Sequence, residues 1–310
     1  MADCGGILEQ DALRERPEDR LWPRTLRLGK HAVVVGVLLF ALFPFYMMFS
    51  ISLKTNAQFY SNPLGIQPPF HFRENWFDGA RMDPDNPQSP KRFDGAWEVV
   101  SGALANTLVV AIAATALGVV GALAGAYFFA RYRMPGAHLL WALMVLLLMM
   151  PTIANLVPLF VLLKNLSLLN TLWALILVGA AGTQAFNIFV LRSFVEQIPN
   201  DLFEAAEIDG ASHFQQFWNI VVPLSGPITG TIAVMSFLNS WNDFIMPLIV
   251  IRDTDLYTVT VCLLRLDGEY LKYWGPLMAG FAISSIPVVI LFVFTMRLFI
   301  RGMTEGAVKG

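Results

Sequence analysis

The sequence predicts an all-α membrane protein with six transmembrane helices, and this prediction rests on composition and on the length of the apolar segments. Of the 310 residues, 56% are hydrophobic and only 14% are charged, and the mean hydropathy is +0.58. A soluble domain usually has roughly a quarter of its residues charged. The formal net charge of −2 gives no support for nucleic-acid binding.

Six apolar segments are long enough to cross a bilayer, whose ~30 Å hydrocarbon core requires about 20 residues of helix. A helix is the expected state of each segment, because only helices and closed barrels satisfy every backbone polar group in lipid. The predicted spans are approximately residues 31–53, 101–129, 138–163, 171–191, 224–251 and 274–296.

Lysine and arginine indicate the orientation, since these residues accumulate in loops on the cytoplasmic side. If the N-terminus is cytoplasmic, twelve basic residues lie on the cytoplasmic side: Arg14, Arg16, Arg20, Arg24, Arg27, Lys30, Arg131, Arg133, Arg192, Arg297, Arg301 and Lys309. Counted over the short connections only, the outside holds four, namely Lys164, Arg252, Arg265 and Lys272, and Lys54 begins the long outer loop. Both termini are therefore predicted to be cytoplasmic. The other parts are an N-terminal extension (1–30), an outer loop (54–100), a cytoplasmic loop (196–223) and a C-terminal tail (297–310).

The loop of residues 196–223 has the pattern of two short helices joined by a glycine. Asp201 and Glu204 have the spacing of a capping box, and Gly210 suits the left-handed residue that ends a helix. Ser212 and Gln215 repeat the capping-box spacing and open a second helix. On this second helix, a single apolar stripe is expected from Phe214, Phe217, Trp218 and Val221.

The polar face of this loop is acidic. It presents Glu204, Glu207 and Asp209, and no Lys or Arg occurs between Arg192 and Arg252. A helix pair lying on the membrane surface is one interpretation of the pattern. An acidic surface is poorly placed against an anionic leaflet, however, so docking to a protein partner fits these residues better.

The stretch EAAEIDGA (204–211), followed by IVVPL (220–224), resembles the EAA loop of ATP-binding-cassette (ABC) importer permeases. Further segments resemble the carbohydrate-uptake branch of that family, in particular the six-span subunit of the maltose-transporter type. They are YFFARYRMPG (127–136), MMPTIANLVPLFVLLKNLSLLNT (149–171), SWNDFIMPL (240–248) and GMTEGAVKG (302–310). The resemblance runs from about residue 30 to 310; the N-terminal extension and residues about 77–97 depart from the pattern.

The resemblance implies a type I ABC importer permease fold over residues 31–310, in the bacterial cytoplasmic (inner) membrane. It implies a subunit that forms half of the pathway for a sugar or related solute. The implied partners are a second homologous permease (as a heterodimer), an ABC ATPase dimer, an extracytoplasmic solute-binding protein and membrane lipid. The sequence has no GxxxxGK(S/T) phosphate loop, so ATP and Mg²⁺ are expected on the partner ATPase and no cofactor on this chain.

Residues 196–223 are called the EAA loop below. The resemblance implies that residues of this loop couple the permease to the ATPase. These residues are Glu204, Ala205, Ala206, Asp209, Gly210 and Phe214. The resemblance also implies that the end of the tail reaches the ATPase interface, although a disordered end fits the same residues. The tail residues are Gly306, Ala307, Val308, Lys309 and Gly310.

Four residues within the spans are candidates for the pathway or its gate. Asp243 is the one acid within a span, and ionisable residues there are functional candidates by default. Trp241 and Asn242 adjoin it, and Asn155 is expected at a similar depth in the third span. The structural alternative for these residues is hydrogen bonding between helices.

Three other patterns carry weaker predictions. Gly118, Gly121 and Gly125 predict close helix packing, within the chain or against the partner permease. The segment TVTVCL (258–263) alternates as a short strand does, in an outer loop (252–272) that by resemblance faces the solute-binding protein. The DPDNPQSPKRFDG segment (83–95) reads as turns without regular structure.

Two other classes of function compete with an ABC permease. A self-contained secondary transporter or channel would predict broken helices or acids in two inverted halves. A membrane-embedded enzyme would need a cluster of His, Asp or Cys near one face. The sequence shows neither pattern, and its four histidines lack metal-ligand spacing, so no catalytic or metal site is predicted.

Overall fold

The computed structural model describes residues 24–81, 91–132, 135–267 and 272–307, and these residues are almost entirely helical. In chain order, the α-helices are α1 (Arg24–Ser52), α2 (Asn56–Ser61), α3 (Ala96–Arg131), α4 (Ala137–Met149), α5 (Leu156–Asn165), α6 (Leu172–Gly182), α7 (Gln184–Val195), α8 (Asn200–Ile208), α9 (His213–Gln216), α10 (Val222–Leu224), α11 (Gly226–Trp241), α12 (Ile245–Val250), α13 (Val259–Asp267) and α14 (Trp274–Ala307). Short π-helical turns (Glu74–Asp78 and Phe217–Val221) and 3₁₀ turns (Thr152–Asn155 and Thr254–Leu256) connect some of them.

Three helices are individually long and apolar enough to cross a membrane: Gly29–Ser52 within α1, all of α3, and Trp274–Met296 within α14. Within the described residues, three further bent helix pairs pass the same test, which gives up to six spans if each pair counts as one. The predicted all-α membrane fold is confirmed.

The third, fourth and fifth predicted spans are not single helices, which corrects the sequence prediction. The α4 helix and residues Ile153–Asn165 meet at 98°, and α6 and α7 meet at 43°. The predicted fifth span (224–251) divides between α11 and α12, and the segment His213–Leu224 joins α11 at 80°. Prolines explain one break: Pro151 lacks an amide hydrogen and precedes the 3₁₀ turn, so the α4 ladder ends before it.

The glycine face of α3 lies against α6 and α7, which confirms the predicted close packing and places it within the chain. A Cβ atom at Gly118 would lie 3.4 Å from the Ala180 carbonyl oxygen, and one at Gly125 would lie 2.9 Å from Ile188. The Gln184 side chain donates hydrogen bonds to the carbonyls of Gly118 (2.8 Å) and Ala180 (2.7 Å). The bond to Gly118 joins α3 to the start of α7.

Replacing Gly118 with leucine should destabilise this packing by ~1–3 kcal/mol, the usual cost of overfilling a close contact. Backbone atoms of Ala180 face the site and cannot rotate away. Gly102→Leu is the matched control on the same helix, because nothing lies within 4 Å of a Cβ atom there. The measurement is the fraction of monodisperse protein left after heating in detergent. Equal losses for the two variants would contradict the prediction.

Residues 259–263 of TVTVCL form the first part of helix α13, so the predicted strand is wrong. Val259, Cys262, Leu263 and Leu266 are buried against α3 and α14, at the i, i+3, i+4 and i+7 positions of a helix. Burial against two spans therefore overrides the β-preference of valine and threonine.

A small antiparallel sheet lies in the loop between α1 and α3, where β1 (Ala80–Arg81) pairs with β2 (Lys91–Phe93). The prediction of irregular structure for residues 83–95 is therefore wrong at 91–93, and residues 82–90 lie outside the described part of the chain.

Candidate functional site

The EAA loop forms two short helices that meet at a left-handed glycine, as predicted. Helix α8 ends at Ile208, and Gly210 has φ of +77°. The Ala211 amide donates to the Ala206 carbonyl (2.8 Å), and the Gly210 amide donates to the Glu207 carbonyl (3.0 Å). These two bonds form the Schellman motif, which satisfies the last carbonyls of α8 and fixes the direction in which the chain leaves it.

One of the two predicted capping boxes is present. Ser212 Oγ accepts from the Gln215 amide (3.3 Å), and the Gln215 side chain accepts from the Ser212 amide (2.7 Å). The predicted box at Asp201 is wrong, because the N-cap of α8 is Pro199 and the helix begins at Asn200, two residues earlier than a cap at Asp201 requires. Asp201 instead lies in the first turn of α8, where its charge is still favourable to the helix dipole.

Arg131, the last residue of α3, attaches the start of the EAA loop to this span. Its Nη2 donates to the Ile198 carbonyl (2.7 Å), and its Nη1 donates to the Asn200 side-chain oxygen. The guanidinium carbon also lies 3.8 Å from the centre of the Phe203 ring, a cation–π contact. Arg131 therefore holds the segment before α8 and the first turn of α8 against α3 through two hydrogen bonds and one cation–π contact.

Tyr127, one turn before Arg131 on α3, connects the second half of the loop. Its hydroxyl donates to the buried Gln216 side-chain oxygen (2.9 Å). Its ring lies 6.3 Å from that of Phe203 and 5.9 Å from that of Phe217. Both halves of the EAA loop are thus attached to the end of α3. These contacts connect a displacement of the loop to a displacement of this span.

The predicted coupling residues lie on the outer side of the loop. Glu204, Ala205, Asp209 and Gly210 are exposed and Ala206 is half-buried. Phe214 is 71% exposed, although it was expected on the same stripe as Phe217 and Val221, which are buried.

The single apolar stripe is therefore wrong. Phe217 and Val221 face the interior, whereas Phe214 and Trp218 are exposed, and the π-helical turn Phe217–Val221 changes the helical period only beyond Phe217. Phe214 and Trp218 remain in edge contact (ring centroids 6.1 Å apart) on the exposed side.

Sequence reasoning missed two residues of this site. Ile208 is 87% exposed, the most exposed large apolar residue of the described chain. It follows the buried Phe203 by five positions, about 140° around a helix at 3.6 residues per turn, so the helical period could have placed it outside. Arg131 was counted only as a charge in the orientation bias, and its contacts with residues 198–203 have no local sequence signal.

A cavity of about 270 Å³ opens between the end of α3 and the EAA loop. Glu204 and Glu207 border it together with Arg131, His213 and the phenol of Tyr132. The ring of His213 lies 4.9 Å from that of Tyr132. The cavity thus combines an acidic rim on α8 with aromatic walls.

The pathway candidates of the fifth span lie at the break between α11 and α12. Trp241 is buried and stacks on Phe237 (5.6 Å, 20°), so its ring packs inside the protein. Asn242 is exposed and donates to the Leu238 carbonyl (2.8 Å). The Asp243 carboxylate accepts from the Met246 amide (3.4 Å) at the start of α12.

The other predicted residues lie apart from this break. Asn155 is exposed and ends the 3₁₀ turn between α4 and α5, inside the 98° bend. Gly306 and Ala307 continue α14. Val308, Lys309 and Gly310 lie outside the described residues.

Three long apolar helices and three bent helix pairs in the described part of the chain, together with a two-helix loop fixed to the end of one span, define a multi-pass membrane protein of the transporter class. The chain belongs to the family of binding-protein-dependent transport system inner membrane components, whose model matches residues 114–305, more than half of the chain. The predicted identity, an inner-membrane permease subunit of an ABC importer, is confirmed.

Individual relatives agree with this assignment. The chain is 34% identical over 240 residues to the probable ABC transporter permease protein YurM of Bacillus subtilis (77% of this chain, 78% of the relative). It is 29% identical over 294 residues to the diacetylchitobiose uptake system permease protein DasC of Streptomyces coelicolor (94% and 98%). Among solved structures, it is similar to a bacterial ABC transporter involved in the import of the acidic polysaccharide alginate, with a TM-score of 0.72 and 20% identity over 89% of this chain and 98% of that chain. This last likeness concerns the fold alone.

Proposed function

We propose that this permease imports a neutral sugar or short oligosaccharide and that the EAA loop couples its movement to a separate ATPase. The diacetylchitobiose relative, which spans nearly the whole chain, supports a saccharide. The observation that carries the coupling role is the attachment of both halves of the exposed loop to α3 through Arg131 and Tyr127. The breaks in three spans are also a feature of secondary transporters, but the match to the family of binding-protein-dependent transport system inner membrane components favours a permease that works with a separate ATPase.

The exposed side of the EAA loop has the properties of a docking surface for a protein. Ile208 and Phe214 offer apolar side chains on either side of Gly210, while Ala205 leaves room for close approach. Glu204 and Glu207 border the cavity beside α3 and offer negative charge to a cationic side chain of the ATPase. The partner ATPase hydrolyses ATP with Mg²⁺, and the EAA loop of this chain transmits the resulting movement to the spans.

The remaining partners and the topology complete the proposal. A second permease subunit closes the translocation pathway as a heterodimer, and an extracytoplasmic solute-binding protein delivers the sugar, with residues 252–272 facing it. Both termini and the EAA loop lie on the ATPase side, which leaves the 54–100 loop on the opposite side. Asn155, Asn242 and Asp243, at the breaks in two spans, are the residues proposed for the gate, with Trp241 as their packing support.

The test is transport by the complete complex in proteoliposomes, with the partner permease, the ATPase and the solute-binding protein. Neutral di- and trisaccharides are expected to stimulate ATP hydrolysis several-fold and to accumulate inside in an ATP-dependent manner. Uronic-acid oligomers and amino acids serve as controls of other chemistry. Stimulation by amino acids alone would overturn the sugar assignment. Uptake driven by an ion gradient without ATP would overturn the coupling role.

A further inference from the structure

The chain immediately after α1 folds back along that helix. The Tyr46 hydroxyl donates to the Leu64 carbonyl (2.8 Å). Tyr46 lies six residues before Ser52, the end of α1, which is about 9 Å along the helix at a rise of 1.5 Å per residue. Residues 56–70, called the tongue below, therefore return to the depth of the apolar part of α1.

Several polar groups at the tip of the tongue are paired within the chain. The buried Lys54 ammonium group donates to the carbonyls of Asn62 (3.0 Å) and Pro63 (2.9 Å). The same burial lowers the pKa of Lys54 from its usual value. The Asn62 side-chain oxygen accepts from the Gly65 amide (2.9 Å). Such internal pairing is what a non-helical segment needs in order to lie near lipid.

One side of the tongue is attached to the start of the last span. The Asn56 side chain donates to the Lys272 carbonyl (2.7 Å) and accepts from the Trp274 amide (3.0 Å). The ring of Phe59 lies 5.1 Å from that of Trp274. These contacts fix the tongue between the end of α1 and the beginning of α14.

The other side is apolar and exposed. Residues 55–70 contain no charged side chain. Their exposed large side chains are Tyr60 (70%), Leu64 (57%), Ile66 (55%) and Phe70 (55%). The neighbouring surface of α1 is also apolar, and no residue of its most apolar window is buried within this chain. Monomeric proteins rarely expose such a patch to water.

We propose that the tongue is a membrane anchor whose exposed side chains enter the lipid at the boundary between headgroups and acyl chains. Its surface continues the exposed apolar surface of α1 at the same depth, and it lacks the charges that water would favour. Tyrosine and other amphipathic aromatic residues are enriched at this boundary. The tongue thus fixes the height of α1 and α14 relative to the bilayer, which goes beyond the coupling and transport roles above.

The experiment uses nitroxide labels on single cysteines at positions 64 and 66, in the complete complex in nanodiscs, with Cys4 and Cys262 replaced by alanine. Collision rates are measured with oxygen, which concentrates in lipid, and with a water-soluble nickel chelate. The control label replaces Arg73, which is 86% exposed, carries a charge and lies just beyond the tongue. Labels 64 and 66 should favour oxygen at least several-fold more than label 73.

Two results would overturn the proposal. Ready collision of labels 64 and 66 with the nickel chelate, as for label 73, would place the tongue in water. Low collision with both reagents would mean that a protein partner covers it. Because a label could disturb the tip, the second measurement is quenching of an Ile66→Trp variant by lipids brominated on the acyl chain. Relative to the unsubstituted complex, whose native tryptophans give the background, additional quenching at shallow bromine positions is expected, and no additional quenching at any position would refute membrane contact.

Discussion

An Arg131→Ala variant is expected to hydrolyse ATP but to lose most solute uptake, by about tenfold or more. The substitution removes the hydrogen bonds to Ile198 and Asn200 and the contact with the Phe203 ring. A hydrogen bond to a charged group contributes ~1.5–3 kcal/mol and a cation–π contact ~0.5–1 kcal/mol, and partial exposure of Arg131 places the total near the lower end. The start of α8 would then move independently of α3, so docking of the ATPase would no longer be transmitted to this span.

The measurement is the ratio of sugar taken up to ATP hydrolysed in proteoliposomes, which separates coupling from assembly. Arg131→Lys should be intermediate, because an ammonium group keeps the charge but not the planar fork that reaches two acceptors. Arg192→Ala is the matched control, since Arg192 contacts Trp141 (4.0 Å) and only the first residue of the EAA loop, Glu196 (2.8 Å), and does not connect α8 to α3. A normal uptake-to-hydrolysis ratio in Arg131→Ala would show that the contacts of Arg131 with residues 198–203 are not part of the coupling.

The class of fold could be predicted because the hydrocarbon thickness imposes a length on every span, and that length is visible in the sequence. The breaks within spans could not be predicted in the same way. A hydropathy window is insensitive to a local interruption such as Thr183 between α6 and α7. The adjacent Gln184 bonds to carbonyls on α3 and α6, and such compensation depends on a neighbour that is distant in sequence.

Within the EAA loop, the locally determined features were the ones predicted correctly. The left-handed Gly210 and the Ser212–Gln215 box depend on backbone groups within a few residues. The box at Asp201 failed although its spacing was right, because the N-cap of α8 is Pro199, two residues earlier. The stripe failed at Phe214 because only one side of this helix, with Phe217 and Val221, packs against the protein, and a helical period cannot tell which side that will be.

Contacts between distant segments account for the rest of the site. Arg131 and Phe203 are separated by more than 70 residues, and a single sequence holds no signal that pairs them. The same limit applies to α13, whose valines and threonine favour a strand until α3 and α14 bury them at helical spacing.

A Gly210→Val variant should lose coupling while the membrane domain remains folded. Nothing lies within 4 Å of a Cβ atom at this position, so size alone has little effect. The cost comes from φ of +77°, a left-handed conformation that is unfavourable by roughly 1–2 kcal/mol for residues with a Cβ and more so for β-branched ones. The variant should relieve this strain by giving up the Schellman bonds of α8, and Ile208 and Phe214 would then change their relative position.

Gly210→Asn is the control that isolates the backbone conformation, because asparagine is close to valine in size but tolerates the left-handed region. Uptake should remain near the wild-type level in Gly210→Asn, fall partly in Gly210→Ala and fall most in Gly210→Val. Sugar-stimulated ATP hydrolysis should follow the same order, while the yield of monodisperse complex stays constant. Equal uptake by the valine and asparagine variants would mean that the angle between the two loop helices does not matter to the ATPase. The expected order would show that the angle between the two loop helices, which Gly210 sets, is needed to transmit closure of the ATPase to α3.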